Sequence, residues 1–130
     1  MAVSRRTAVA ALATLPLATT HAAPASKDAP MYGLIGKMVA QPGQRDALIA
    51  ILAEGTAAMP GCLSYVIAKD LGDADALWIT EAWDSQASHK ASLALPTVQA
   101  AIAKGRPLIA GFGERFETEP VGGQGLAKPR

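Results

Sequence analysis

Residues 62–84, CLSYVIAKDLGDADALWITEAWD, decide the fold of this chain. Two runs rich in β-branched, aromatic and aliphatic residues, 62–70 and 77–84, flank the turn LGDADA. This pattern predicts two consecutive strands joined by a short connection. Alternation along the second strand places four side chains on one face, of which one is a carboxylate: Leu77, Ile79, Glu81 and Trp83.

The sequence before this pair of strands predicts one strand and one helix. MYGLIGKMVA, residues 31–40, has the composition of a strand, and Pro42-Gly43 ends it. From Arg45 to Met59 the apolar positions recur at helical spacing, and Pro60-Gly61 ends the helix.

The sequence after the pair predicts two short helices and a last strand. Ser85 is a natural N-cap for a helix that begins at Gln86. Pro96 suits the first turn of the next helix, which Gly105 closes, and residues 108–120 form the fourth strand. The order β-α-β-β-α-β predicts an α+β fold with the ferredoxin-like split arrangement.

Apolar side chains lie on both faces of the first predicted strand. Leu34 and Met38 share one face by alternation, and Ile35 and Val39 share the other. Because soluble monomers rarely expose a large apolar patch, we expect a second copy of the sheet to cover the second face in a two-fold homodimer. Two sheets that close over each other in this way enclose an apolar chamber.

Residues 1–25 have the order of a secretory signal. Arg5 and Arg6 precede an uncharged run of Ala, Val, Leu and Thr that ends in small residues. The residues around this pair resemble the twin-arginine export motif. The apolar run is shorter than the roughly 20 residues that span a bilayer, so we expect export to the periplasm or the exterior, cleavage after Ala22 or Ala25, and no stable membrane insertion.

The rest of the chain is expected to form one domain. Residues 26–30 are a linker, residues 31–120 are the domain, and residues 121–130 are a flexible tail. Loss of two arginines with the signal leaves ten Lys and Arg against eleven Asp and Glu, a net charge of −1. No basic stripe remains, so no nucleic-acid partner is expected. Cys62, the single cysteine, is expected to be a small buried apolar residue without an internal disulfide.

Residue types that the chain lacks exclude several chemistries. His89 is the single histidine once His21 leaves with the signal, and the chain contains no asparagine. One chain therefore cannot build a multi-histidine metal site, and the CxxC and HExxH spacings are absent. No G-x-S-x-G elbow occurs, and VGGQG, residues 121–125, lacks the lysine and helix of a phosphate loop. We expect neither a metal nor another cofactor.

Three ring-bearing side chains are candidates for a small-molecule site. Tyr65, Trp83 and His89 are expected to converge at one end of a sheet lined by aliphatic residues. His89, with an ordinary pKa near about 6.5, is the group among them suited to proton transfer at neutral pH. Simpler roles remain open: core packing for the tryptophan and tyrosine, solvation for the histidine, and an ion pair for Glu81.

Three stretches resemble the antibiotic biosynthesis monooxygenase (ABM) family: MPGCLSYVIAKD, ITEAWDSQASHKASLALPTVQAAI and GFGERFETEPV. The resemblance covers roughly residues 31–120. This family groups cofactor-independent quinol monooxygenases with polyketide-oxidising and haem-degrading enzymes. The resemblance therefore implies a dimeric α+β barrel that acts on a small aromatic substrate with O2.

The resemblance also assigns site residues. Trp83 matches the strand-end tryptophan of the oxidising members, and His89 matches a helix position where polyketide oxidisers carry a tyrosine. Ser92 stands where many members have a histidine, and Ile79 stands where polyketide oxidisers have an asparagine. We take Trp83 and His89 as candidate catalytic residues, and as candidate substrate-binding residues Tyr65, Glu81, Ile79 and Ser92.

Two functions follow as hypotheses. In the first, a cofactor-independent monooxygenase oxidises a hydroquinone or related phenol: the ring stacks on Trp83, His89 takes a phenolic proton, and Tyr65 orients the substrate oxygen. In the alternative, the same fold is a non-catalytic, stress-response module that binds a hydrophobic ligand, or haem through His89. An isomerase or lactone-processing activity is a third hypothesis.

Overall fold

Four strands and three α-helices follow one another along residues 29–127, the part of the chain that the computed structural model describes. The predicted signal at residues 1–25 and most of the linker lie outside the described residues. The elements, with a 3-10 turn at Arg106–Leu108 before the last strand, are β1 (Tyr32–Ala40), α1 (Arg45–Gly55), β2 (Cys62–Lys69), β3 (Ala76–Trp83), α2 (Gln86–Ser92), α3 (Pro96–Gly105) and β4 (Ile109–Thr118).

The strands form one antiparallel sheet in the order β2-β3-β1-β4. The first strand therefore lies inside the sheet, between β3 and β4, and the last strand lies at the edge. This is the ferredoxin-like arrangement, so the predicted α+β fold class is confirmed. The β4 strand carries an irregularity, because Gly36 pairs with Arg115 while Met38 pairs with Phe112.

Local chemistry sets the ends of the helices. The Ser85 hydroxyl accepts a hydrogen bond of 3.1 Å from the backbone N–H of Ser88, which confirms the predicted N-cap of α2. Helix α1 ends at Gly55, so the prediction that it continues to Met59 was wrong. The hydroxyl and the backbone N–H of Thr56 both donate hydrogen bonds to the carbonyl of Leu52. These two hydrogen bonds close the last turn of the helix.

The hydrophobic core lies between the helices and one face of the sheet. Leu48 of α1 is fully buried against Ala40, Leu77 and Ile79. Helices α1 and α3 pack closely at Gly55, where an added Cβ would lie 2.3 Å from the Cβ of Ala101. This packing covers one end of the sheet and leaves its other end to the shorter helix α2.

The opposite face of the sheet carries no helix among the described residues. Pairing places Ile35 between Thr80 and Phe116, and Val66 lies beside Thr80. Val66 is 52% exposed and Phe116 is 54% exposed. The sheet is thus apolar on both sides, as the first strand indicated.

The described part of the tail, residues 119–127, contains no helix or strand. Its backbone is nevertheless attached to the sheet, because the N–H of Ala127 donates a hydrogen bond of 3.1 Å to the carbonyl of Leu63. None of the helices within residues 29–127 has the length and apolar character needed to cross a bilayer.

Candidate functional site

A cavity of about 260 Å³ opens on the helix side of the sheet, over β1, β3 and β4. We call it the central cavity. Its space comes partly from Gly36, where an added Cβ would meet nothing within 4 Å. Two of the predicted site residues, Ile79 and Glu81, lie in its wall. The full lining is Leu34, Gly36, Lys37, Met38, Ile79, Glu81, Phe112, Gly113, Glu114 and Arg115.

The central cavity lies on the helix-covered face of the sheet. The chamber expected from the sequence lies on the opposite face, between two sheets. Ile79 belongs to the core cluster under α1, and alternation keeps Glu81 and Trp83 on that same face. The expected placement of these residues in the chamber was wrong, because alternation groups residues by face but does not say which face the helices cover. The chamber between two copies of the sheet stays a prediction. All of the residues that line the central cavity belong to β1, β3 and β4.

Glu81 is one carboxylate of the cavity wall. Its Oε1 accepts a hydrogen bond of 3.3 Å from the indole N–H of Trp83, two residues along the same strand. Burial raises the pKa of Glu81, while the Trp83 hydrogen bond and the positive charge of Arg115 oppose the rise. Arg115 lines the same cavity and pairs with Gly36 across β1 and β4. Lys37 and Glu114 also belong to the lining, so the cavity wall carries two acidic and two basic residues among apolar ones.

His89 lies on α2 against two aromatic rings. Its ring centroid is 5.4 Å from that of Trp83, edge-on at 74°, and 5.4 Å from that of Tyr32, tilted by 47°. Burial, followed by the positive charge of Arg115, lowers the pKa of His89, and Glu117 acts in the opposite direction. A lowered pKa keeps the imidazole neutral at pH 7, the state in which it accepts a proton.

The phenol of Tyr32 completes this group of side chains. Its hydroxyl donates a hydrogen bond of 2.6 Å to Oε1 of Glu117, and this bond raises the pKa of Tyr32. Glu117 also lies 3.9 Å from a guanidinium nitrogen of Arg115. A chain of polar contacts therefore leads from the ring beside His89 to the arginine of the central cavity.

Tyr32, Arg115 and Glu117 were not predicted as site residues from the sequence. The signal was present in ERFET, residues 114–118, where strand alternation places Arg115 and Glu117 on one face and Phe116 on the other. Because β4 contains an irregularity, the pairing of its residues with those of β1 could not be predicted from the sequence.

Trp83 is fully buried, with 0% of its surface exposed. Its ring has no exposed face in this structure, and stacking of a substrate ring on it stays a prediction that this burial does not support. Its described contacts are with Glu81 and His89. Trp83 therefore links the carboxylate of Glu81 to the imidazole of His89.

Tyr65 pairs with Glu81 across β2 and β3 but borders a different space. It lines an open groove of about 690 Å³ between α1 and β2, together with Cys62 and Met59. Burial and the nearby Glu81 charge raise the pKa of Tyr65, so its hydroxyl stays protonated. The structure thus brings Tyr65 beside Glu81 and not into the central cavity.

Ser92 does not join the site. Its hydroxyl donates a hydrogen bond of 2.6 Å to the backbone carbonyl of His89, and the residue is buried. The predicted substrate contact at this position stays a prediction that the structure does not support, because the hydroxyl already donates a hydrogen bond inside helix α2. Its role is to hold the turn that carries the histidine.

The remaining expectations concern the cysteine and metals. Cys62 is half-buried and free, and burial raises the pKa of its thiol. Within residues 29–127, no group of three or more His, Cys, Asp or Glu side chains is arranged to hold a metal ion.

The fold and the cavity define a class: a ferredoxin-like domain with a cavity on the helix-covered face of its sheet. The chain belongs to the antibiotic biosynthesis monooxygenase family, whose profile matches residues 31–104. The predicted family resemblance is thereby confirmed. Among curated proteins the chain has no significant match.

Solved structures agree with this assignment. A crystal structure from Chloroflexus aurantiacus J-10-fl that carries the family's name is 71% identical, with a TM-score of 0.73, and the match covers 75% of this chain and 99% of that chain. A structure from Caulobacter crescentus CB15 is 21% identical, with a TM-score of 0.62 and coverage of 72% and 92%. One from Bacteroides thetaiotaomicron VPI-5482 is 16% identical, with a TM-score of 0.63 and coverage of 71% and 90%. The last two support the fold alone.

Proposed function

We propose that this protein is a cofactor-independent monooxygenase that oxidises a hydroquinone or a related phenol with O2. One observation carries the proposal: a cavity contains the Glu81 carboxylate and the Arg115 guanidinium, and the Trp83 indole that bonds to Glu81 contacts the imidazole of His89, whose pKa is lowered. The family assignment supports a monooxygenase class. The substrate class follows from the aromatic-sized cavity and its few polar groups.

The first step of the proposed reaction is removal of a phenolic proton by neutral His89. General-base assistance of this kind contributes about 10²–10⁴ in rate. Arg115 stabilises the phenolate through its positive charge, which acts strongly in apolar surroundings. Glu81, when ionised, accepts a hydrogen bond from the second hydroxyl of a hydroquinone and orients its ring.

The later steps balance without a cofactor. The phenolate gives one electron to O2, and the resulting radical pair joins to form a carbon–oxygen bond at the ring carbon next to the oxidised position. The proton held by His89 goes to the distal oxygen, giving a hydroperoxide. Loss of the ring proton breaks the oxygen–oxygen bond and releases water. One oxygen atom stays in the hydroxyquinone product and the other leaves as water.

The assembly and location of the protein are part of the same proposal. A second copy of the chain covers the helix-free face, where Ile35, Val66 and Phe116 lie, and forms a two-fold dimer. The signal-like order of residues 1–25 supports export. Sedimentation of the purified domain and fractionation of cells that express the full chain test these two points.

The decisive experiment measures O2 consumption with a panel of reduced quinones. The wild-type protein is compared with His89→Ala and, as the matched control, with Lys90→Ala, an exposed neighbour on the same helix. We expect turnover with at least one quinol, loss of about 10²-fold or more in His89→Ala, and little change in the control. Absence of wild-type turnover across the panel, together with a Soret band in the purified protein, would favour the haem-binding alternative instead.

A further inference from the structure

A second space adjoins the central cavity on the helix side of the sheet. It has a volume of about 610 Å³ and lies between α1, α3 and the first half of β4. We call it the apolar groove. Met38 and Phe112 line both spaces, and these two residues face each other across β1 and β4. The groove is therefore continuous with the central cavity at this pair of side chains.

The chemistry of the groove differs from that of the cavity. Arg106 is its single charged residue, and every other lining residue is a glycine, an alanine or an aliphatic, thioether or phenyl side chain. The central cavity, in contrast, contains Glu81 and Arg115. The central cavity, with its charged residues, thus opens into the apolar groove, whose volume is more than twice as large.

Side chains along the groove are left uncovered by the chain itself. Phe112 is 74% exposed, and Ile102 of α3 is 37% exposed. Apolar surface of this kind gains free energy when a ligand removes it from water. Because the two spaces meet at Phe112, one molecule that occupies both would cover this ring.

We propose that the substrate is a hydroquinone or phenol with an aliphatic chain, whose ring occupies the central cavity and whose chain lies in the apolar groove. This inference rests on the proposed function for the identity of the ring. The aliphatic chain is assigned to the groove because the groove is continuous with the cavity, is large enough and has an apolar lining. Phe112 and Met38 then act as specificity-determining residues, since they contact the substrate where ring and chain join.

The test separates binding from turnover. Isothermal titration calorimetry with methyl-, butyl- and octyl-substituted benzoquinones, the oxidised forms, measures affinity without oxygen chemistry. O2 consumption with the corresponding hydroquinones measures turnover. We expect affinity to rise with chain length, by about fourfold for each methylene that becomes buried.

Two variants test whether the aliphatic chain of the substrate binds in the apolar groove. Ile102→Gln places a polar side chain in the groove, and Ala103→Gln places the same side chain at the next, exposed position of α3 as a matched control. We expect Ile102→Gln to weaken binding of the octyl compound about tenfold or more while the methyl compound is unaffected, and Ala103→Gln to resemble the wild type. Melting curves confirm that both variants are folded.

The outcomes distinguish the two proposals. If the methyl compound binds and turns over but chain length has no effect, the groove assignment is overturned and the proposed function stands. If affinity rises with chain length and falls in Ile102→Gln while no O2 is consumed, the groove binds chains but the proposed function fails. If Ile102→Gln changes the sedimentation of the protein and not the binding of any compound, a second copy of the chain covers the groove and the inference is wrong.

Discussion

The indole N–H of Trp83 donates to the carboxylate of Glu81 across 3.3 Å, within a single strand and on a single face. The same indole contacts the ring of His89 edge-on. One buried side chain therefore positions both the acid of the cavity wall and the imidazole beside it. Substitutions at this residue should change the chemistry of the site without removing either group.

Trp83→Phe is expected to move the acid limb of the pH–activity profile to higher pH. The indole hydrogen bond holds the pKa of Glu81 down, so its loss lets burial raise that pKa further and leaves less of the ionised carboxylate at a given pH. The smaller ring should also cost about 1–3 kcal/mol of stability. The pH dependence of O2 consumption and urea unfolding measure the two effects.

Trp78→Phe is the matched control for this prediction. Its indole N–H also donates to a carboxylate, Asp70, at 2.8 Å, but Trp78 points to the other face of the sheet. An acid limb that moves equally in both variants would show that the effect is not specific to the bond with Glu81.

The stability of the protein should contain a pH-dependent contribution from His89. Because the folded state lowers the pKa of this histidine, the unfolded chain binds a proton more readily. Stability is therefore present above the ordinary pKa of about 6.5 and is lost as the pH falls through that value to the lower folded-state pKa. His89→Gln removes this titration.

The measurement is the melting temperature as a function of pH between about 7.5 and 5. Glu81 titrates in the opposite sense, since its raised pKa favours the folded state on protonation, and so the difference between wild type and His89→Gln is the relevant quantity. If the melting-temperature curves of the wild type and His89→Gln stay parallel between these pH values, the lowered pKa of His89 is contradicted.

Cys62 reports on the charge of Glu81. The thiol pKa is raised by burial and also by the negative charge of Glu81. Glu81→Gln keeps the side-chain shape but removes the charge, so the midpoint of the pH dependence of thiol alkylation should move to lower pH. The chain has a single cysteine, which makes the reaction specific.

Glu54→Gln, on the exposed surface of α1, is the control for the thiol measurement. It removes an equal charge from a residue that does not act on the thiol pKa. An unchanged midpoint in Glu81→Gln, or an equal change in Glu54→Gln, would contradict a specific effect of the Glu81 charge on the pKa of the Cys62 thiol.

Two glycine substitutions should have opposite effects on stability. Gly55→Ala places a methyl group 2.3 Å from the Cβ of Ala101, so the helices must separate, at a cost of about 1–3 kcal/mol. Gly36→Ala meets nothing within 4 Å and should leave stability unchanged or raise it by about 0.4–1 kcal/mol. The second methyl group enters the central cavity and should weaken quinone binding. Thermal melts and calorimetry together measure these differences.

Much of the fold could be predicted because its signals are local. Alternating strands, the Ser85 cap and the Pro96 helix start each depend on a few neighbouring residues, and the structure has them where the sequence indicated. The end of α1 was missed because the back-bond of Thr56 to Leu52 competes with continued helical periodicity.

The site could be predicted only in part, because it depends on pairings that are distant in sequence. Glu81 and His89 were predicted from their own strand and helix, and Ile79 was predicted from a position in the family. Arg115 was not, because its place beside the cavity follows from an irregular register with β1. The expected contact at Ser92 came from a position in the family and not from physical reasoning about the helix, where its hydroxyl has a nearer acceptor.

The turn at Gly61 limits how the site can open. This glycine has a φ of +81°, and an added Cβ would lie 2.5 Å from the hydroxyl of Ser88 and 2.8 Å from a carboxylate oxygen of Asp84. Its carbonyl also accepts the N–H of Asp84 at 2.9 Å. The first turn of α2 is therefore sealed against the loop before β2, with no space for a methyl group. We therefore expect a molecule to reach the cavity from the rim where the ring of Phe112 is 74% exposed.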